Sequence, residues 1–156
     1  MRYYIDTEFN GWGGAMISFG MVNERGSMLY LVEDDAGLAK IDLDPWVAEN
    51  VVPLLYKTPA GAETIRSPLR HWGSIISAFY GEDDKPHFFA DWPSDIADLC
   101  TMLISGPGES VPMPHQTIFT CLRHIDVYPT SLTDAVQHHA LWDALALRRW
   151  VEEHES

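Results

Sequence analysis

Three strand-type segments at the start of the chain constrain its fold more than any other feature. They cover Arg2–Asp6, Ala15–Asn23 and Met28–Val32, and they are rich in β-branched, aromatic and other apolar residues. The four residues at 24–27, Glu-Arg-Gly-Ser, are typical of a hairpin turn. Three consecutive strands on short connections predict an antiparallel meander.

Helix signals replace the strand pattern after this meander. Asp44 suits an N-cap and Pro45 suits the first helical position, which predicts a helix over Pro45–Leu55. The Ser-Pro pair at 67–68 repeats this signal. It predicts a helix that ends at about Tyr80, because apolar residues recur there every three or four positions.

The second half of the chain alternates between strand and helix patterns. Lys85–Ala90 predicts a short strand, and a helix is expected over about Asp95–Ile104. Residues 105–115 are rich in Gly and Pro and predict a loop. Thr117–Ile125 predicts a short helix.

A capping box at 131–134, Ser-Leu-Thr-Asp, predicts the start of a last helix that runs to about His154. A chain of 156 residues is of ordinary size for one domain. We therefore expect a single α/β domain over residues 1–156, with a mixed central sheet flanked by helices. In that sheet, the antiparallel meander comes first and parallel strands follow.

The composition narrows the classes of function. A net charge of −13 argues against tight, non-specific binding of long duplexes. No secretory segment follows the first strand and no apolar run approaches the ~18 residues that span a bilayer, so we expect no membrane association. Cys100 and Cys121 lack metal or redox spacing, which favours free thiols in a reducing cytoplasm.

Asp6 and Glu8 are the first candidate site residues. They are two positions apart at the end of a predicted strand, so their side chains project from the same face. Two adjacent carboxylates repel each other unless a cation neutralises them, which makes the pair a candidate for metal binding. A solvated strand face with the same Asp-x-Glu pattern is the alternative.

Asp95 is the next candidate because it falls in the first turn of a predicted helix, where the helix dipole favours a negative charge. Helix capping alone explains such a residue as well. Asp91, at the end of the preceding strand, and Asp98, nearly one turn further along, are rivals for a role in the site.

The terminal helix supplies the third motif. His138 precedes Asp143 by five residues, which on a helix separates the two side chains by about 140°. This suits a histidine at the start of the helix, lying over a site into which Asp143 points. Ala140 and Ala144 are small and one turn apart, so the helix can approach the sheet closely. A core-packed helix with surface histidines is the alternative.

Together these motifs resemble those of the DEDDh exonucleases, which degrade strands from the 3′ end and have a ribonuclease H-like fold. The resemblance extends from Asp6 to Asp143. Residues 2–9, 17–22 and 95–100 are most similar to the small bacterial exoribonucleases of the mycobacterial polyadenylate-specific type. One departure is Ala15, where such relatives often carry Glu, and it leaves the sugar and base preference open.

The resemblance implies roles for individual residues. His138 would be the general base, and four carboxylates would hold two Mg²⁺ ions, with Mn²⁺ as a substitute: Asp6, Glu8, Asp95 and Asp143. An all-oxygen ligand set agrees with such hard cations. The implied substrate is the 3′ end of single-stranded RNA, adenylate-rich in that branch, or a short oligonucleotide, and the implied assembly is a homodimer.

Contacts to the nucleotide are expected beside the first two carboxylates. The backbone at Thr7 and Phe9 is a candidate for binding the terminal nucleotide, and Phe9 and Trp12 are candidates for stacking on bases. Core packing of Phe9 and an ordinary surface loop around Trp12 are the alternatives. Three of the scarce cations are candidates to hold incoming phosphates: Arg66, Arg70 and Arg123.

Three other functions stay open. A DNA exonuclease would use the same carboxylates, because RNA is recognised through contacts to the 2′-hydroxyl, which the sequence does not reveal. A catalytically inactive ribonuclease H-like binding module is disfavoured because all five predicted catalytic residues are present. A transition-metal hydrolase with His138 and His139 as ligands is disfavoured because adjacent helical side chains point about 100° apart.

Overall fold

The computed structural model describes residues 1–123, 125 and 132–154. In this part of the chain, a six-stranded mixed sheet has the order β4-β3-β2-β1-β5-β8. Its strands are β1 (Arg2–Phe9), β2 (Met16–Asn23), β3 (Met28–Val32), β4 (Thr64–Arg66), β5 (His87–Ala90) and β8 (Ile118–Cys121). A separate hairpin consists of β6 (Ile104–Gly106) and β7 (Glu109–Ser110).

The strand directions confirm the predicted mixed sheet. β1, β2 and β3 form an antiparallel meander. β4 is parallel to β3, β5 is parallel to β1, and β8 is parallel to β5. The chain is therefore an α/β protein in which the antiparallel strands come first and the parallel strands join on both sides of them.

Five α-helices accompany the sheet in the described ranges: α1 (Asp35–Leu38), α2 (Pro45–Asn50), α3 (Trp72–Tyr80), α4 (Pro93–Met102) and α5 (Ala140–His154). The predicted start of α2 is confirmed, since the Asp44 side chain accepts a hydrogen bond of 2.8 Å from the Trp46 N–H. The helix ends at Asn50 rather than Leu55, and residues 52–54 form a 3₁₀ turn. Pro53 lies in that turn and has no N–H to continue the α-helical hydrogen bonds.

Two predictions for the middle of the chain need correction. The helix expected over Thr117–Ile125 is wrong, because its central residues form β8. Ile, Phe and Thr at 118–120 favour a strand, and pairing with β5 satisfies their backbone groups. Residues 105–115 are not loop throughout, since the β6–β7 hairpin turns there at Gly108, which has a φ of +75°.

The last helix begins later than its capping box predicts. Ser131 lies outside the described residues, but residues 132–139 are not helical and α5 starts at Ala140. Asp134 and His138 have positive φ angles of 63° and 59°, which no right-handed helix accommodates. The helix ends at His154, as predicted.

The sheet buries both of its faces. Tyr3 lies on the face that packs against α3 and α4, in a core that includes Trp72 and Leu99. Tyr4 lies on the opposite face and packs with Ala144 of α5. Among the described helices, none combines the length and hydrophobicity required to cross a bilayer.

Gly20 in β2 sets the distance between the sheet and α5. A Cβ atom at this position would lie 2.4 Å from backbone atoms of Ala140 and Leu141. Ala140 and Ala144 are both fully buried, which confirms the predicted close approach of this helix. Because Gly20 pairs with Asp6 across the β1–β2 ladder, α5 reaches β1 directly beside that carboxylate.

Candidate metal centre

The strand alternation of β1 places Asp6 and Glu8 on the face that Tyr4 shares with α5. Close packing of α5 then brings Asp143, in its first turn, towards them. Asp143 is oriented by its own helix, because its Oδ2 accepts a hydrogen bond of 3.1 Å from the backbone N–H of His139. Three of the predicted ligands thus meet between β1 and α5.

Asp91 and Asp95 approach the same point from the end of β5. Because β5 is parallel to β1, the segment that follows Ala90 lies beside the end of β1. Asp95 occupies the first turn of α4, as predicted, and is only 2% exposed. Its Oδ1 accepts a hydrogen bond of 2.6 Å from the Thr7 hydroxyl, whereas its buried Oδ2 has no hydrogen-bond partner.

The carboxylates form two groups of three that share one residue. Oxygen atoms of Asp6, Asp91 and Asp95 lie within 4.8 Å of one another, and so do those of Asp6, Glu8 and Asp143. The structure therefore brings together all four predicted ligands and adds Asp91, which the sequence left as a rival. Two adjacent triplets with a common carboxylate have the arrangement that a pair of cations requires.

Asp98, the other rival, lies apart from these triplets. It does not line the pocket around the carboxylates, and its Oδ2 lies 3.3 Å from the Thr7 hydroxyl. Thr7 is 5% exposed, so its hydroxyl holds the carboxylates of α4 in place on the buried side of β1. The Thr7 side chain therefore positions Asp95.

Burial raises the pKa of every carboxyl group in the two triplets, and repulsion from neighbouring carboxylates adds to it for all of them except Asp91. Burial is the larger cause, and it raises the pKa of Glu8 to about 8 and those of Asp95 and Asp143 to about 7. The pKa of Asp6 is raised well above its ordinary value, by burial and then by the charges of Asp95 and Asp143. A bound divalent cation would relieve both causes, since it offers the positive charge that this cluster lacks.

The residues present fit a hard divalent cation. All donors in the two triplets are carboxylate oxygens, which suit Mg²⁺ or Mn²⁺ better than softer transition metals. The unpartnered Oδ2 of Asp95 is the observation that most directly calls for such a ligand, because a buried carboxylate oxygen is costly to leave unsatisfied.

His138 lies at the rim of the same pocket, just before α5. Its φ of +59° is uncommon for a residue other than glycine and turns the chain immediately before the helix begins. The ring of His138 meets the Trp46 indole edge-to-face, with 4.9 Å between the ring centroids. Partial burial lowers the pKa of His138, so the imidazole is neutral and able to accept a proton at neutral pH.

His139 has a different environment. It is fully buried and stacks on Tyr30 at 4.5 Å, and burial lowers its pKa to about 4. It does not line the pocket, whereas its neighbour His138 does. The two histidines therefore do not converge on one ion, which removes the geometric basis for the transition-metal alternative.

The carboxylates line an open pocket of about 590 Å³. Thr7, Phe9 and Trp12, the predicted nucleotide contacts, also line it. Trp12 is 75% exposed at the tip of a loop in which Gly11 and Gly13 have positive φ angles. Glycine adopts this conformation without strain, and so the loop can turn twice around the indole.

Two further aromatic residues of the pocket were not recognised as site residues from the sequence. Trp46 lies in α2 and Trp92 directly precedes α4, and both line the pocket. Each lies beside a helix start signal, Trp46 after the Asp-Pro pair at 44–45 and Trp92 before Pro93, and these signals are the hint that the sequence offers.

No protein-family model matches the chain, and no curated protein is significantly similar to it in sequence. A mixed α/β sheet by itself is compatible with many unrelated functions. The chemistry of the pocket is therefore the basis on which a function can be inferred.

Proposed function

We propose that this protein is a metal-dependent 3′-to-5′ exoribonuclease with a ribonuclease H-like fold. It hydrolyses phosphodiester bonds at the 3′ end of single-stranded RNA and releases nucleoside 5′-monophosphates. The observation that carries this proposal is the pair of carboxylate triplets that share Asp6. The motif resemblance described above supports the same activity and the direction of hydrolysis.

The residues of the pocket divide the chemistry among them. Asp6, Glu8, Asp91, Asp95 and Asp143 would hold the metal ions. Two Mg²⁺ ions, when bound, lower the pKa of the attacking water and offset the charge that develops on the phosphate and the leaving oxygen. His138, neutral and at the rim, accepts the proton of that water as the general base.

An active enzyme is favoured over an inactive binding module of the same fold. An inactive module has no need to keep five carboxylates in one buried cluster, where their mutual repulsion destabilises the folded chain. It also has no need for an imidazole at the rim of that cluster. The preference for RNA over DNA rests on the motif resemblance, and a DNA exonuclease of the same fold is the alternative.

Hydrolysis of matched RNA and DNA oligonucleotides tests this proposal. With a 5′ label and Mg²⁺, we expect a ladder that shortens by one nucleotide from the 3′ end of RNA, and no products in EDTA. Asp143→Asn should abolish the ladder, whereas Asp84→Asn, which makes the same charge change at an exposed position, should not. Faster degradation of DNA would change the assigned substrate, and intact oligonucleotides with both Mg²⁺ and Mn²⁺ would overturn the proposal.

We further propose that the enzyme is a cytoplasmic homodimer. The support for the dimer is the resemblance to small exoribonucleases, and the support for a reducing compartment is that Cys100 and Cys121 are both free thiols. Multi-angle light scattering at micromolar concentration should give about twice the chain mass of 17.6 kDa. A monomer under those conditions would remove the dimer from the proposal.

A further inference from the structure

An array of aromatic rings leads out of the carboxylate pocket and ends on an arginine. The centroid of Phe9 lies 5.6 Å from that of Trp12, and Trp12 lies 5.3 Å from Trp92. The guanidinium carbon of Arg123 lies over the indole of Trp92, 3.4 Å from its ring centroid. We call these four residues, Phe9, Trp12, Trp92 and Arg123, the aromatic array.

Two members of the array are sequence neighbours of carboxylates in the candidate metal centre. Phe9 directly follows Glu8 in β1, and Trp92 directly follows Asp91 after β5. Three of its members, Phe9, Trp12 and Trp92, line the pocket. A polymer whose end occupies the metal centre can therefore leave along these rings.

The two indoles of the array have uncovered surface. Trp12 is 75% exposed and Trp92 is 42% exposed. Their rings are tilted by 58° to each other, and Phe9 and Trp12 are tilted by 50°, so these pairs do not cover one another's faces by parallel stacking. Exposed indoles of this kind are suited to stack on a ligand that has flat faces of its own.

The charges around the array indicate how an anionic ligand could bind there. Among the described residues, the lining of the pocket includes six acidic residues and no Lys or Arg. An anionic chain would be repelled along such a wall once it leaves the metal ions. The exposed guanidinium of Arg123 lies over Trp92, close enough to Asp91 for its charge to lower the pKa of that carboxyl group, and it offers a positive charge to phosphates that pass this side of the pocket.

We propose that the aromatic array binds the unpaired nucleotides that precede the 3′-terminal one, an inference that rests on the proposed function. Their bases stack on Trp12 and on the face of Trp92 that Arg123 leaves uncovered, and Arg123 pairs with a phosphate. With one base on each indole and the terminal nucleotide at the carboxylates, the bound segment is three nucleotides long. Stacking is indifferent to base identity and needs a base with an uncovered face, so the preferred substrate is a single strand of three or more nucleotides.

Kinetics with three substrates of different length test this inference. The p-nitrophenyl ester of thymidine 5′-monophosphate reaches the metal centre alone, an adenylate dinucleotide occupies one further position, and hexa-adenylate spans the array. Stacking on one indole corresponds to roughly 5- to 150-fold in affinity. We therefore expect kcat/KM to be at least fivefold higher for hexa-adenylate than for the dinucleotide.

Variants of the array should reduce that length preference. Trp92→Leu and Arg123→Gln should each lower the ratio of kcat/KM for hexa-adenylate to that for the ester, which does not reach the array, by about fivefold or more. Tyr56→Leu is the matched control, since Tyr56 is 55% exposed and lies under the Arg66 guanidinium but does not line the pocket. The control should keep the wild-type ratio.

The outcomes separate this inference from the proposed function. If none of the three substrates is hydrolysed with Mg²⁺ or Mn²⁺, the proposed function is wrong and the array has lost its role with it. If the ester is hydrolysed but hexa-adenylate has no advantage, or both array variants keep the wild-type ratio, the nuclease stands and the stacking path is wrong. Should Trp92→Leu fail to fold, Arg123→Gln decides, because it removes only an exposed side chain.

Discussion

Removal of divalent cations should make the stability of this protein depend on pH in a direction that few proteins share. The pKa of Glu8 is raised to about 8, and those of Asp95 and Asp143 to about 7. A carboxyl group with a raised pKa holds its proton in the folded state but loses it in the unfolded state. The unfolded chain therefore binds fewer protons, and the free energy of unfolding falls as the pH rises towards those values.

The pH window must exclude an opposing contribution from His139. Burial lowers the pKa of His139 to about 4, so between pH 4 and about 6.5 this residue binds fewer protons in the folded state than in the unfolded state, and its own contribution to stability rises with pH. Between pH 6.5 and 8.0 the carboxyl groups dominate. In this window Glu8 releases about half of its proton, and Asp95 and Asp143 each release most of theirs.

The size of the effect follows from these values. For each proton that the folded state binds and the unfolded state does not, the free energy of unfolding falls by about 1.4 kcal/mol per pH unit. Summed over Glu8, Asp95 and Asp143, the expected loss between pH 6.5 and 8.0 is about 3 kcal/mol. For a domain of this length that corresponds to a fall in Tm of about 6–12 °C.

Thermal unfolding followed by circular dichroism at pH 6.5, 7.0, 7.5 and 8.0 in EDTA measures this slope. Excess Mg²⁺ should remove most of it, because a cation bound to the folded state replaces the lost protons. Asp95→Asn should flatten the slope and raise Tm at pH 8.0 in EDTA, whereas Asp84→Asn should match the wild type. A Tm in EDTA that is constant or increases over this window would refute the reasoning.

Three further substitutions have definite expected results. His138→Ala should lower kcat about 10²- to 10⁴-fold, as for a lost general base, while calorimetry shows an unchanged affinity for Mg²⁺. An unchanged rate, or an equal loss in the exposed control His71→Ala, would contradict this role. Gly20→Ala should destabilise by about 3 kcal/mol or more in urea unfolding, because its Cβ would lie 2.4 Å from α5; Gly106→Ala, whose Cβ has 3.6 Å of clearance, should stay within about 0.5 kcal/mol. Trp46→Ala should lower kcat less than His138→Ala but shift the acidic limb of the pH–rate profile, since it removes the ring that packs on the imidazole of the general base. Trp46→Phe should restore the wild-type profile, and a change in KM alone would contradict a positioning role.

The sequence predicted the elements whose formation depends on neighbouring residues. Met28–Val32 is a strand with the expected bounds, and Asp44 caps α2 as expected. These elements are encoded by local signals, namely apolar runs between turn residues and an N-cap before a proline. The mixed sheet followed from their order along the chain.

Elements that depend on distant partners were missed or misplaced. Strand β4 has only three residues and exists because it pairs in parallel with β3, so no periodicity of its own could announce it. The sequence predicts a helix where strand β8 forms, because the strand conformation depends on pairing with β5. The start of α5 was placed too early, because the capping box matches a local pattern that the positive φ angles of Asp134 and His138 override.

In the candidate site too, the residues marked by local signals could be predicted and the contacts between distant residues could not. Its carboxylates could be predicted because strand ends and first helical turns are positions where the fold directs a side chain towards a pocket. The contact of Trp46 with His138 joins residues 92 positions apart, and the contact of Trp12 with Trp92 joins residues 80 apart. Nothing local to either residue of these pairs specifies the other.

Helix capping was the alternative to metal binding for Asp95, and the structure allows the same comparison for Asp143. Capping accounts for Asp143, whose Oδ2 accepts the His139 N–H. Asp95 lies in the first turn of α4 with Trp92 as the N-cap; its Oδ1 accepts a hydrogen bond from the Thr7 hydroxyl, and its Oδ2 is buried without a hydrogen-bond partner. A carboxylate that only capped the helix would direct that oxygen to an N–H group or to solvent. Oδ2 of Asp95 does neither, and the proposed cation at Asp6, Asp91 and Asp95 would give this oxygen a partner.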